Sequence, residues 1–242
     1  MNVSNCWAGR IGRGQLHAFQ DHIDRGDGRI DAFMETNLRF HLALLRSAPC
    51  REIDLQLAPR TRVTIYTDAS AAPDKVTGAL LVKICHIVFC SALGVRHGGV
   101  ATLPAAIIDS FGARATYIAI GEAFAILFAI VREEALLSDA SVMFFMDNLC
   151  VLAALCKGSS MVEDFGCLVH VILLRLARLK AKAWFEYVDT KANLADGGSR
   201  VGVDCPDAAR LCIPLSNTIL PDWPASVVHA SAQDWMDWFD GP

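Results

Sequence analysis

Apolar positions along this chain change their period several times, and each change marks an element. From Arg62 onward the pattern suits strands: Val63, Ile65 and Tyr66 form a short β-rich run that ends in Asp68-Ala69-Ser70, followed by a proline-containing turn over Ala71 to Lys75. Two further strands are predicted, Val76 to Ile84 and His86 to Val95, closely joined and rich in β-branched residues. Gly78 falls inside the first of them and marks a bulge or a close approach; Gly98-Gly99 ends the block, and a loop with Pro104 follows. The pattern then turns helical over Tyr117 to Leu137. Ser141 to Met146 (SVMFFM) reads as a fully apolar strand for the middle of a sheet, and Asp147-Asn148 opens a helix from Leu149 to Lys157 with Gly158 as its stop. A longer helix is predicted from Val162 to Lys182, a strand from Ala183 to Val188, and a loop from Asp189 to Arg200.

The stretch before Arg62 is different. Its start is rich in Gly, Arg and Asp without a period, Asn37 to Arg46 has helical spacing through Leu38, Leu42 and Leu45, and Ala48 to Arg60 carries two prolines and reads as a linker. No internal repeat or low-complexity tract is present. The expected organisation is a lead-in over 1–60, a domain over 61–200, and a tail over 201–242 that packs on the domain with Trp223, Trp235 and Trp238. Three strands close enough to pair as an antiparallel meander, then two strands separated by helices and therefore parallel, predict an α/β fold: a five-stranded mixed sheet with helices on both faces.

Composition narrows the class. Hydrophobic residues make up 53% and charged residues 20% of the 242, which excludes a disordered chain. Mean hydropathy is +0.35, yet the longest apolar run, Tyr117 to Val131, is short for a membrane span and carries Glu122 near its middle, so a core helix is expected and no membrane partner. The N-terminus has no signal-like stretch, and the nine scattered cysteines contain no Cys-x-x-Cys, which points to reduced core thiols and an intracellular setting, cytoplasmic or nuclear. The net charge of -4 argues against a general nucleic-acid binder. Locally the balance reverses: between Val171 and Arg200 there are six cations, Arg175, Arg178, Lys180, Lys182, Lys191 and Arg200, against three acids. Such a run is commonly a solvated helix face.

Four acids stand out. Asp68 and Asp147 follow apolar strands, where α/β sheets build ligand sites. Glu122 has apolar neighbours on nearly every helix face, and a buried carboxylate needs a cation or a donor. Asp196 follows the last strand in Asn193-Leu194-Ala195-Asp196-Gly197-Gly198-Ser199-Arg200. Each has a structural alternative: a turn with Ser70 for Asp68, an ion pair for Glu122, a helix cap for Asp147, and a cap or turn for Asp196. Their order and spacing together carry more than any one of them.

The pieces Tyr66-Thr67-Asp68-Ala69-Ser70, Gly121-Glu122-Ala123, Met146-Asp147-Asn148 and Asn193-Leu194-Ala195-Asp196 with Ser199-Arg200 resemble the ribonuclease H domain of retroelement reverse transcriptases of the LTR and DIRS-like group. The resemblance covers residues 60–200, and Leu38 to Arg60 is similar to the segment joining polymerase to ribonuclease H in such proteins. Transposases and integrases of that fold place their helical acid last, and proofreading exonucleases carry Asp-x-Glu on the first strand; neither pattern occurs here. The resemblance implies a metal-dependent endonuclease that hydrolyses the RNA strand of RNA–DNA hybrids with two Mg²⁺ or Mn²⁺ ions. It implies that Asp68 touches both ions, Glu122 and Asp147 hold the one on the leaving-group side, and Asp196 holds the one that activates water. Hybrid recognition would use shape, phosphates and the 2′-hydroxyl. Arg175, Arg178, Lys180, Lys182 and Arg200 would grip phosphates, and Asn148 would reach the minor groove unless it only starts its helix. The loop Asp189 to Asn193 lacks the histidine that many ribonucleases H carry there, and the chain has no Tyr-x-Asp-Asp. The expected partner is then a polymerase domain on a longer parent protein, and the alternative function is an inactive retroelement relic that keeps the fold and at most binds nucleic acid or protein. Gly197-Gly198 is expected to loosen the Asp196 segment.

Overall fold

The computed structural model describes residues 17–26, 28–47, 60–74, 77–111 and 113–220; the tryptophans of the tail and most of the predicted linker lie outside them. The described residues fall into two compact units, a larger one from 60–153 with 175–220 and a smaller one from the residues before 48 with 154–174.

In the larger unit the strands are β1 (Arg62–Pro73), β2 (Leu80–Cys90), β3 (Val95–Thr102), β4 (Ser141–Met146), β5 (Lys182–Tyr187) and β6 (Leu215–Asn217). They form a six-stranded sheet in the order β5-β4-β1-β2-β3-β6. β1, β2 and β3 are antiparallel neighbours, while β4 runs parallel to β1 and β5 parallel to β4. This is the mixed sheet expected from the sequence, an antiparallel meander followed by parallel strands, with one addition. Three residues beyond the last expected strand extend the far edge, as β6 pairs parallel with β3 through Gly98 to Val100.

Alternation along β1 gives the sheet its two faces. Val63, Ile65, Thr67 and Ala69 are buried on one, and Thr64, Tyr66, Asp68 and Ser70 lie on the other. Helix α4 (Ile118–Arg132) rests on β1 and β2 with every residue from Ile120 to Ile130 buried. Gly121 makes that approach possible, because a Cβ there would lie 2.8 Å from Val82 Cγ1 and 2.9 Å from Ala69 Cβ. The short α8 (Asp196–Val201) also packs on β1 and β2, against Cys85. Before α4 comes α3 (Ala105–Asp109); between α4 and α8 come α5 (Glu134–Leu137), α6 (Leu149–Lys157) and α7 (Glu163–Arg178), and after α8 comes α9 (Pro206–Arg210).

Several boundaries differ from the expected ones for identifiable reasons. β1 does not end at Asp68 but continues to Pro73, so Asp68 is a mid-strand residue opposite Cys85. The two strands expected over 76–95 are one, β2. Its predecessor is a turn in which Asp74 Oδ1 accepts the Thr77 N–H and Gly78 takes a left-handed φ of +71°, so Gly78 is a turn residue and not a strand bulge. Gly98 and Gly99 sit inside β3 rather than ending the block; a Cβ at Gly99 would lie 2.8 Å from the buried His86 ring and 3.2 Å from Phe128. The long helix expected from Tyr117 breaks at Glu133, whose Oε1 meets His86 Nε2 at 2.9 Å and His97 Nε2 at 3.0 Å.

The smaller unit contains α1 (His17–Arg25), α2 (Ala32–Ser47) and most of α7. The expected apolar stripe on α2 is not the buried one. Leu38 and Leu42 are exposed, and Met34, Asn37, Phe40 and His41 are buried, with Phe40 edge-on to His170 at 4.7 Å between ring centroids. The Leu45 side chain lies outside the described ones. The seven described cysteines are all free, but only Cys85, Cys90 and Cys205 are buried, so the expectation of core thiols holds for part of the set. Among the described residues no helix is long and apolar enough to cross a membrane.

Candidate metal centre

β1 and β4, parallel neighbours, supply two of the acids. Asp68 sits in the middle of β1 and is buried. Burial pushes its carboxyl up to about 7, Asp147 and Asp196 add to the rise, and the Ser199 hydroxyl and the Arg200 charge oppose it. Asp147 follows the last residue of β4 and is half-buried. It does not cap the helix it precedes. Asn148 does, its Oδ1 accepting the N–H groups of Cys150 at 3.1 Å and Val151 at 3.2 Å.

Glu122 arrives from the second turn of α4 and is buried as deeply as Asp68. Burial pushes its carboxyl up to about 9; the charges of Asp68 and Asp147 raise it further, and the Ala69 N–H opposes them. Its Oε2 has no hydrogen-bond partner among the described residues. The structural alternative for this residue required a basic partner, and none of the ion pairs in the described structure includes it.

One carboxylate oxygen from each of Asp68, Glu122 and Asp147 lies within 4.8 Å of the others. Three carboxyl groups so close do not all ionise in the absence of a cation, because their charges would repel and burial removes the water that would screen them. The donor set is all oxygen, which suits a hard divalent ion, and the orphaned Oε2 is the atom such an ion would satisfy. The residues therefore fit Mg²⁺ or Mn²⁺.

Asp196 stands apart from this group of three. It begins α8, and its Oδ1 accepts from Arg200 Nε at 2.8 Å and from a terminal guanidinium nitrogen at 2.8 Å. It is near enough for its charge to raise both Asp68 and Glu122. Arg200 in turn feels Asp196 most and Asp68 and Asp147 as well, which hold its guanidinium above the ordinary range.

The other expected cations are elsewhere. Lys182 pairs with Ser141 at the start of β4, whereas Asp147 follows its end. Six residues at about 3.3 Å each put roughly 20 Å between them. Arg175, Arg178 and Lys180 belong to the same far end, where the Lys180 carbonyl accepts from Arg60 at 2.9 Å. Arg175 is mostly buried and lies 3.9 Å from Glu134.

Two residues quoted in the motifs but given no role turn out to touch the site. Ser199 Oγ donates to Asp68 Oδ2, and Asn193 Nδ2 donates to the Thr67 carbonyl at 2.9 Å and to Asp68 Oδ1 at 3.3 Å. The sequence signal was their spacing around Asp196. Gly197 and Gly198 do not loosen this segment; they let it close. A Cβ on Gly197 would lie 2.5 Å from Cys205 Sγ, and one on Gly198 would overlap Cys85 Sγ.

No protein-family model matches the chain, and no curated protein does. Solved structures similar to it include two RNase H domains. One is the N-terminal RNase H domain of a Mycobacterium tuberculosis protein, solved as a fusion with maltose-binding protein. It is 16% identical, with a TM-score of 0.43, and the alignment covers 63% of this chain and 98% of that one. The other is LC9-RNase H1, described as a type 1 RNase H with the type 2 active-site motif. It is 15% identical, with a TM-score of 0.42, covering 73% of this chain and 99% of that one.

Proposed function

We propose that this chain is a metal-dependent phosphodiester hydrolase of the ribonuclease H type, derived from a retroelement, that cuts the RNA strand of RNA–DNA hybrids. The observation that carries the proposal is the buried Glu122 Oε2, without a hydrogen-bond partner among the described residues and close to two further carboxylates. A folded protein tolerates that arrangement when a cation joins it.

In this reading Asp68, Glu122 and Asp147 hold Mg²⁺ or Mn²⁺, two ions in the resting complex with substrate. The bound ions supply an acidified water as nucleophile and neutralise charge on the phosphate oxygens. The residues themselves do the rest. Asp68 is held by two hydrogen bonds, with one oxygen within 4.8 Å of an oxygen from each of Glu122 and Asp147. Arg200, the one expected phosphate ligand beside the carboxylates, exchanges Asp196 for a substrate phosphate, which frees Asp196 to complete the ligand set. Arg178, Lys180 and Lys182 meet phosphates remote from the scissile bond. The polymerase partner lies on a longer parent protein.

A second reading, a relic that binds hybrid without cutting it, draws on one observation: Asp196 is engaged by Arg200 instead of joining the other three. Cleavage of a labelled RNA–DNA hybrid separates the two. The expected result is RNA-strand cutting with Mg²⁺ or Mn²⁺ and none in EDTA, with double-stranded DNA and RNA left intact. Binding of hybrid without cleavage under any divalent ion selects the relic, and cleavage that persists in EDTA refutes the metal centre.

A further inference from the structure

The segment between β5 and α9 is tied to β1 on both sides of Asp68. Upstream, Asn193 Nδ2 reaches the Thr67 carbonyl, and the amide is oriented by its own Oδ1, which accepts the Ala195 N–H at 3.2 Å. Downstream, Ser70 Oγ donates to the Ser199 carbonyl at 2.7 Å. Between these two ties, both oxygens of Asp68 are occupied, Oδ1 by Asn193 and Oδ2 by Ser199. Ser199 is fully buried and Asn193 nearly so. The Ser199 hydroxyl has one proton and two acceptors in reach, Asp68 Oδ2 and the Asp196 carbonyl at 3.0 Å. The charged acceptor is the closer and the stronger, so the proton serves Asp68.

A carboxylate on a mid-strand residue can rotate about its last bond. With one donor on each oxygen that rotation is restrained, and the carboxylate is held with one oxygen within 4.8 Å of an oxygen from each of Glu122 and Asp147. We propose that Ser199, assisted by Asn193, is a positioning residue that locks the Asp68 carboxylate in its metal-ligating orientation. This rests on the reading of the three acids as a metal centre. It explains why the serine stands three residues after Asp196: one helical turn carries Ser199 from the start of α8 back over β1, and Gly198 lets the helix descend far enough for the hydroxyl to reach. The same short helix thus presents Asp196 and immobilises Asp68.

The test is Mn²⁺ binding by isothermal titration calorimetry on the full chain, without substrate. The forms compared are the unaltered chain, Ser199→Ala, Ser199→Thr and Ser199→Cys, each checked for folding by circular dichroism and for its urea midpoint without metal. Loss of an outer hydrogen bond to a ligating group commonly weakens metal affinity by about 10–100-fold. Ser199→Ala is expected to bind Mn²⁺ at least about tenfold more weakly, and Ser199→Thr, which keeps the hydroxyl, to restore binding to within about threefold. A Ser199→Ala chain with a lowered urea midpoint but unchanged Mn²⁺ affinity overturns the inference and leaves the serine a purely structural tie. A folded Ser199→Thr chain as weak as Ser199→Ala overturns it too. Should Ser199→Ala not fold, Ser199→Cys takes its place as a nearly isosteric, weaker donor, and unchanged affinity in that variant has the same consequence. If the unaltered chain binds no Mn²⁺, the metal centre itself fails and the inference with it, which is a separate outcome from equal binding by all forms.

Discussion

Replacing Glu122 by Gln in the metal-free protein should stabilise it, and the size of the gain follows from the site. The Glu122 carboxyl is held at about 9 against an ordinary 4.5. At pH 7 the unfolded chain carries it ionised, so folding must take up a proton across about 2.5 pH units, which costs roughly 3 kcal/mol at about 1.4 kcal/mol per unit. Gln carries no charge in either state, and its amide hydrogens face the carboxylates of Asp68 and Asp147. Allowing for imperfect amide geometry, a net gain of about 2 kcal/mol is expected, or roughly 4–8 °C in Tm for a chain of this size. The pH dependence is the sharper signature. Asp68, at about 7 against an ordinary 3.8, and Glu122 are both raised, so the stability they contribute is full at low pH and is lost as pH rises through their folded values. Between pH 4 and 7 both acids lower stability; between pH 7 and 9 only Glu122 continues to. Urea unfolding in EDTA at pH 5.5, 7 and 8.5 should therefore show the unaltered chain still losing stability above pH 7 and Glu122→Gln levelling off there. Adding Mn²⁺ at about 100 times its Kd should return roughly 2.7 kcal/mol to the unaltered chain and little to the variant. If Glu122→Gln unfolds the protein or leaves the slope above pH 7 unchanged, the residue is a structural ion-pair member and the metal centre has lost its main support.

Two further expectations test the surroundings of the site. Gly198→Ala forces a methyl onto Cys85 Sγ and should cost about 1–3 kcal/mol in urea unfolding, whereas a loosely held Asp196 segment would absorb it at no cost. Across a salt series, hybrid binding by Arg178→Ala/Lys182→Ala should show a slope shallower by up to about two ions, while Arg175→Ala, whose guanidinium is packed beside Glu134, should lower stability by about 1 kcal/mol and leave the slope alone; a shallower slope for Arg175→Ala would place that residue back on the phosphate-binding surface.

What could be read from the chain was whatever depended on local chemistry. SVMFFM reads as an interior strand because five consecutive apolar residues stop at Asp147, too few for a helix of ordinary length, and α6 ends at Gly158 because its φ of +80° suits glycine. Glu122 was legible as a site residue for the same reason: a carboxylate among buried apolar neighbours demands a partner, and here the demand is visible as an orphaned oxygen. What could not be read was whatever depended on approach between distant segments. The small residues from Ala69 to Ala72 look like a turn, yet they continue β1. Ala69 is small because α4 descends on it through Gly121. Gly98-Gly99 and Gly197-Gly198 look like breaks or hinges, yet each pair marks a close contact, with His86 and Phe128 in one case and Cys85 and Cys205 in the other. Charge counting could not place the cations relative to the acids. The cations from Arg175 to Lys182 follow Asp147 by a few dozen residues, but the parallel crossover from β4 to β5 returns the chain to the start of the sheet before they occur, so sequence proximity became a separation of roughly 20 Å. The Asp196–Arg200 pair was hidden for another reason: the stretch reads as a loop, and only because it is helical do residues four apart face one another. That pair sets the chemistry of the site apart from a simple cluster of four acids. Three carboxylates without a cation of their own sit beside a fourth that has one, and Arg200 is the group whose movement would change the count.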